Sequence, residues 1–186
     1  MAALENKIQA NKYMNIKKDM KFSERIRQEI NFPWPKIPFN IVLVNPMIPP
    51  NTGNIARLCA ATGSKLHLIK PLGFDISDKQ LKRAGLDYWE QVDLTIHNNF
   101  KEYIDIFYDS PKYFFTTAAK IDHAEIDYAQ GDHLIFGNEP YGLSDDIIES
   151  NHKYCCNIPI QLNAVRSLNL SNAVSIALYT ALRKLG

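Results

Sequence analysis

Six short runs rich in β-branched and aromatic residues alternate with stretches of helical composition, and this alternation constrains the fold more than any other feature. The runs are FNIVLV (39–44), KLHLI (65–69), QVDLTI (91–96), KYFFTT (112–117), HLIFG (133–137) and CCNIPI (155–160). Helical stretches are expected at 54–62, 77–84, 99–108, 144–150 and from about 168 to 184. Strands that take turns with helices predict an α/β fold, a mainly parallel sheet with helices on both faces. In such sheets ligands bind at the carboxyl ends of the strands. The turn-rich stretches there are NPMIPPNTGN, TTAAKI, FGNEPYGLS and IPIQLNAVRSLNLSN.

The alternation begins only after NFPWPKIP (31–38), whose three prolines forbid a continuous helix or a central strand. The expected organisation is therefore a basic N-terminal extension, 1–38, followed by one domain, 39–186. Charge divides at the same place. The first 38 residues hold eight Lys/Arg against four Asp/Glu, and the remainder thirteen against sixteen. A basic arm on a mildly acidic body suits contact with an anionic polymer, and it suits a solvated helix equally well. No apolar run approaches the ~20 residues that span a bilayer, and the N-terminus lacks the apolar core of a secretory signal. Cys59, Cys155 and Cys156 make no disulfide framework and have no metal-ligand spacing. The expectation is a cytoplasmic protein with no membrane segment and no metal.

Several chemistries lack their motifs. There is no G-x-G-x-x-G, P-loop, G-x-S-x-G or H-E-x-x-H. The five histidines (His67, His97, His123, His133 and His152) are scattered, and each reads as a surface or strand-end residue.

Three stretches carry an excess of polar residues at the expected strand ends. In NTGNIAR (51–57), Asn51 or Asn54 is expected to cap a helix, with Gly53 in a tight turn. Arg57 would then lie in the first turn among Ile55, Ala56, Leu58, Cys59 and Ala60. A guanidinium beside a strand end suits phosphate or carboxylate, and it also suits a structural ion pair. In FGNEPYGLS (136–144), Gly137 and Gly142 allow backbone close to a ligand, and Glu139 between them is placed to pair with Arg57 or to hold a ligand group. In RSLNLSNAVS, Ser167, Asn169, Ser171 and Asn172 supply four capping-type side chains where one is enough.

These stretches, with PLGF, LKRAGLDYWE and IPI, resemble in order the motifs of the SPOUT RNA methyltransferases. The likeness spans about residues 39–186. LKRAGLDYWE points to the branch that methylates the ribose 2′-oxygen of the tRNA wobble nucleotide, cytidine or uridine 34. The resemblance implies a C-terminal trefoil knot, S-adenosylmethionine bent into the knot loops, S-adenosylhomocysteine as product, and a homodimer whose active site uses both chains. Carried over by position, it implies Arg57 as the catalytic arginine, supported by Asn51, Glu139 and Asn169. It implies a cofactor pocket of Phe115, Gly137, Ile158, Ser167 and Leu168. Arg166 is the implied contact to tRNA at the anticodon loop, and Lys82 and Arg83 are further candidates from charge alone. The chain departs from the family pattern at Pro140-Tyr141, where Thr-Arg is usual, and at Ser144, where proline is usual. Two alternatives stand beside this reading: the same chemistry on another tRNA or rRNA nucleotide, and a catalytically idle RNA- or cofactor-binding dimer.

Methyl transfer to a ribose hydroxyl explains the missing nucleophiles, because the donor is already activated and the protein mainly aligns the reacting atoms. Two roles are open to Arg57: a general base made neutral by burial, or a cation that grips phosphate and stabilises the forming alkoxide. The high basicity of arginine favours the second.

Overall fold

A computed structural model describes residues 30–75, 91–161 and 163–186, and the elements below lie in one compact body, 33–186. Among the described residues six strands form one all-parallel sheet: β1 (Asn40–Val44), β2 (Lys65–Ile69), β3 (Leu94–His97), β4 (Lys112–Phe115), β5 (His133–Phe136) and β6 (Cys155–Cys156). Their order is β3-β2-β1-β5-β4-β6. The helices are α1 (Pro49–Thr62), α2 (Phe100–Ile106), α3 (Asp145–Ser150) and α4 (Leu170–Arg183). The α/β class read from the sequence is the observed one. The expected helix at 77–84 and the stretch LKRAGLDYWE lie outside the described residues.

Strand periodicity explains the two-sided core. Val42, Val44, Ile69, Phe114 and Ile135 share one face with Tyr103 of α2, and Ile147 and Ile148 of α3 pack at the edge of that cluster. The alternate set, Ile41, Leu43, Leu66, Leu68 and Leu134, is fully buried on the other face, where α1 and α4 pack on each other. Both faces are covered, so the strands read as continuous apolar runs.

Boundaries differ from the sequence reading where backbone partners run out. β6 is an edge strand of two residues rather than six. At Asn157 the chain leaves the sheet: its N–H donates to Ile121 O and its carbonyl accepts from His123 N (both 2.9 Å). Pro159 then has no N–H to offer a ladder. β4 ends at Phe115, and Thr116 N makes a last bond to Cys156 O of β6 (3.0 Å). The α1 helix begins five residues earlier than expected, at the pair Pro49-Pro50, which suits first-turn positions whose N–H groups have no intrahelical partner. Neither Asn51 nor Asn54 is its cap. The cap position is Ile48, without a side-chain bond. Asn51 lies in the first turn, Gly53 is helical, and Arg57 lies two turns into the helix.

His97 and His133 stand at strand ends as expected, closing β3 and opening β5, whereas His67 inside β2 and the buried His123 depart from expectation. His67, His97, His123 and His133 are buried; only His152 is exposed. Asn40 fixes part of this network. Its Nδ2 donates to Gly131 O (2.8 Å), so its Oδ1 faces His67 Nε2 (3.1 Å), which must carry the proton. His67 Nδ1 then accepts from His97 Nε2 (3.1 Å). His133 Nδ1 pairs with the Tyr103 hydroxyl. A second proton on His67 would set two N–H groups against each other. Burial is the larger effect, and His67 is pushed down to about 4. Burial similarly holds His133 down to about 3 and lowers His97. These side chains are core, not surface.

Candidate functional site

The strand ends converge on a cleft of about 680 Å³, within the usual range for small-molecule sites. Its walls come from the loop after β4 (Phe115, Thr116, Thr117), the turn after β5 (residues 137–143), the segment after β6 (Asn157, Ile158, Ile160) and the approach to α4 (residues 166–170). Asn157 fastens two of these walls together: its Nδ2 donates to Thr117 O (3.3 Å) and Ala119 O (3.4 Å).

The turn after β5 is rigid for a backbone reason. Asn138 and Gly142 exchange N–H···O bonds of 3.2 and 2.9 Å, and the Asn138 side chain accepts from Tyr141 N (2.8 Å). This folds Gly142 and Leu143 over Gly137, where an added Cβ would lie 1.9 Å from Gly142 C and 2.1 Å from Leu143 N. Only glycine fits at 137. The close approach expected here toward a ligand is made instead by the protein's own Gly142 and Leu143 backbone. Below it, Phe115 and Phe136 stack with ring centroids 4.5 Å apart.

The folded turn projects Glu139 toward the start of α1. Its carboxylate accepts from Met47 N (2.8 Å), Ile48 N (3.2 Å) and Asn51 Nδ2 (3.0 Å). It therefore does from a distance what a cap residue does locally: it satisfies N–H groups at the helix start and places negative charge at the positive end of the helix dipole. Asn51 Oδ1 in turn accepts from Asn169 Nδ2 (3.0 Å). Asn169 caps α4, accepting at Oδ1 from Ser171 N (3.0 Å), Ser171 Oγ (2.7 Å) and Asn172 N (3.4 Å). The result is one directional relay, from the α4 N–H groups through Asn169 and Asn51 to Glu139. Each amide orientation is dictated by the next partner.

The cleft thus brings together Asn51, Glu139 and Asn169 with Phe115, Gly137, Ile158, Ser167, Leu168 and Arg166. Arg57 is not among its lining residues. It lies on the exposed stripe of α1 with Asn54 and Ala61. Lys82 and Arg83 lie outside the described residues. Lys184, at the end of α4, donates to Ile126 O (2.9 Å). On α4, Ala177 is core, whereas Ile176 and Tyr179 are exposed. Sequence reasoning did not single out Thr116, Asn157 or Asp145; only the turn after β4 had signalled that first wall. No group of three or more His, Cys, Asp or Glu side chains among the described residues is placed to hold a metal. Among the same residues no helix is long and apolar enough to cross a membrane.

Comparison with known proteins gives consistent results. Residues 38–179 match the SpoU rRNA Methylase family. A tRNA (cytidine(34)-2'-O)-methyltransferase of Yersinia pestis is 47% identical, over 79% of this chain and 94% of its own length. The protein of that name from Methylovorus glucosotrophus is 45% identical, over 78% of this chain and 95% of its own. A solved structure described as giving structural insights into the 2-OH methylation of C/U34 on tRNA superposes with a TM-score of 0.75. It is 40% identical, with 80% of this chain and 97% of that one covered.

Proposed function

This chain belongs to the SpoU rRNA Methylase family, and from that premise we propose that it methylates the ribose 2′-hydroxyl of the tRNA wobble nucleotide, cytidine or uridine 34, in the cytoplasm. The observation that carries the proposal is the Glu139–Asn51–Asn169 relay on the wall of a cleft of ligand size. The high identity to proteins named for this reaction supports the choice of tRNA.

The cleft suits S-adenosylmethionine in shape and charge. Phe115, Ile158 and Leu168 offer apolar walls to a flat ring, and Ser167 offers a hydroxyl beside them. Among the described residues, the lining carboxylates Glu139 and Asp145 outnumber the lining cation Arg166, which favours a positively charged donor. When bound, that cofactor supplies a methyl group already activated on a sulfonium and leaves as S-adenosylhomocysteine. The protein's own task is alignment and exclusion of water. The relay holds three cleft segments in register, so the walls that receive the ribose are fixed before it arrives. Glu139, with three donors on its two oxygens, is occupied as a structural acceptor rather than available as a base.

Arg57 acts as a cation that grips a phosphate and stabilises the forming alkoxide. Its place outside the cleft of its own chain suits a site shared by two chains, in which α1 of one protomer faces the cleft of the other. Met47, Ile48, Ile176 and Tyr179 are exposed apolar residues on or beside α1 and α4, and they form the homodimer surface in this reading. The trefoil knot of the C-terminal segment and the basic arm before residue 39 belong to the same reading. Arg166, exposed at the cleft mouth, is the tRNA contact.

The test is transfer from methyl-labelled S-adenosylmethionine to unmodified total tRNA and, separately, to ribosomal RNA. Label in tRNA that is lost in Arg57→Ala is expected. Label in ribosomal RNA alone would discard the substrate. Cofactor binding with no label on either RNA would make the protein an idle binding dimer.

A further inference from the structure

We infer that Tyr141 is the stacking platform for the base of the target nucleotide, which makes it a substrate-positioning residue of the cleft. The inference rests on the RNA methylation proposed above. Tyr141 lines the cleft, yet it is 84% exposed. A large aromatic ring is ordinarily turned inward, because its area dominates burial energetics. Here the backbone prevents it. The Asn138–Gly142 pairing, the bond from Tyr141 N to Asn138 Oδ1, and the crowding at Gly137 hold residues 137–143 in one tight turn with Tyr141 at its tip. Glu139, two residues earlier, is tied by three hydrogen bonds to Asn51 of α1 and to Met47 and Ile48 just before it. The ring is thus displayed on an anchored support.

The display has a geometric consequence. The relay side chains occupy the cleft wall next to the turn, so a ribose seated against them leaves its base at the rim. A wobble base presented for ribose chemistry is unstacked from its neighbours, and single-stranded RNA readers receive such bases on aromatic faces. Stacking accepts any base with a π-face, so it holds the nucleotide without reading its identity. Pro140 precedes the tyrosine and stiffens the tip. Pro140-Tyr141 is one of the two places where the chain departs from the motif in this turn, the other being Ser144, so the platform is a property of this chain.

The experiment uses the full-length protein and a tRNA anticodon stem-loop with pyrrolocytosine, a fluorescent cytidine analogue quenched by stacking, at nucleotide 34. Tyr141→Ala is expected to lower kcat/KM for tRNA by roughly 5- to 150-fold, the usual effect of removing one base-stacking ring. It should leave the affinity for S-adenosylhomocysteine and the mass of the assembly unchanged. Bound pyrrolocytosine should be brighter in Tyr141→Ala than in the unsubstituted protein, and Tyr141→Phe should restore both rate and quenching. Equal fluorescence in the two proteins, or a rate change matched by loss of cofactor affinity or of assembly mass, would overturn the inference. If the unsubstituted protein methylates no tRNA, the proposed function fails instead, and the two failures are distinct.

Discussion

Replacing Glu139 by glutamine changes one atom and should disturb two helices. The carboxylate accepts from Met47 N, Ile48 N and Asn51 Nδ2. Glutamine keeps one acceptor oxygen and turns an NH₂ group toward the remaining donors. Asn51 would relieve the conflict by flipping its amide, but its Nδ2 would then face Asn169 Nδ2. Asn169 is unable to flip in turn, because its Oδ1 already accepts from Ser171 N and Asn172 N. At least one hydrogen bond to a charged group is lost, worth about 1.5–3 kcal/mol, together with about 0.3–1 kcal/mol of helix-dipole interaction. Together these come to about 2–4 kcal/mol. For a chain of this size that lowers Tm by roughly 5–15 °C. Differential scanning calorimetry measures it, and isothermal titration with S-adenosylhomocysteine should show weakened binding, because residues 166–170 line the cleft. A second variant isolates the relay: in an Asn51→Ala background, Glu139→Gln should cost clearly less than in the unsubstituted protein. A Tm within 1 °C of the unsubstituted protein, or full additivity of the two changes, would refute the relay.

Three further outcomes follow from the geometry. Thr52 is fully buried in α1, and its hydroxyl has no hydrogen-bond partner among the described residues. Thr52→Val should therefore be neutral or stabilising by about 1 kcal/mol, read as an unchanged or raised denaturant midpoint. Gly137→Ala sets a Cβ 1.9 Å from Gly142 C, so the turn must open; calorimetric titration should show cofactor binding lost by at least tenfold, with a fold still cooperative by thermal unfolding. His67 and His133 have folded-state values lowered to about 4 and about 3, below the unfolded value of about 6.5. Their contribution is therefore complete above pH 6.5 and is lost as pH falls toward those values, by about 2 kcal/mol each at pH 5. His67→Gln should flatten urea-derived stability between pH 7 and 5.

Much of the fold was legible because a parallel sheet covered on both faces writes its strands as apolar runs. β1, β2 and β5 were located within one residue. The ends of β4 and β6 were not, because β4 borders an edge strand of only two residues and Asn157 leaves the sheet for a partner distant in sequence, Ile121 O. The start of α1 was missed because its cap is supplied by Glu139, about ninety residues away, and no local signal announces that. The same distance hid the relay. Asn51, Glu139 and Asn169 were each named from motif likeness, but that they form one chain of hydrogen bonds is a fact of topology. His67 was misread because a histidine inside a strand looks identical from sequence whether it meets solvent or a neighbouring ring and an asparagine.

The most direct test of the account is the position of the methyl group. Unmodified tRNA, treated with this protein and S-adenosylmethionine, is digested with nucleases and its fragments are sequenced by mass spectrometry. The account predicts one added methyl on the ribose of nucleotide 34, present with the unsubstituted protein and absent with Arg57→Ala. A methyl on a base, or on the ribose of another nucleotide, would contradict it.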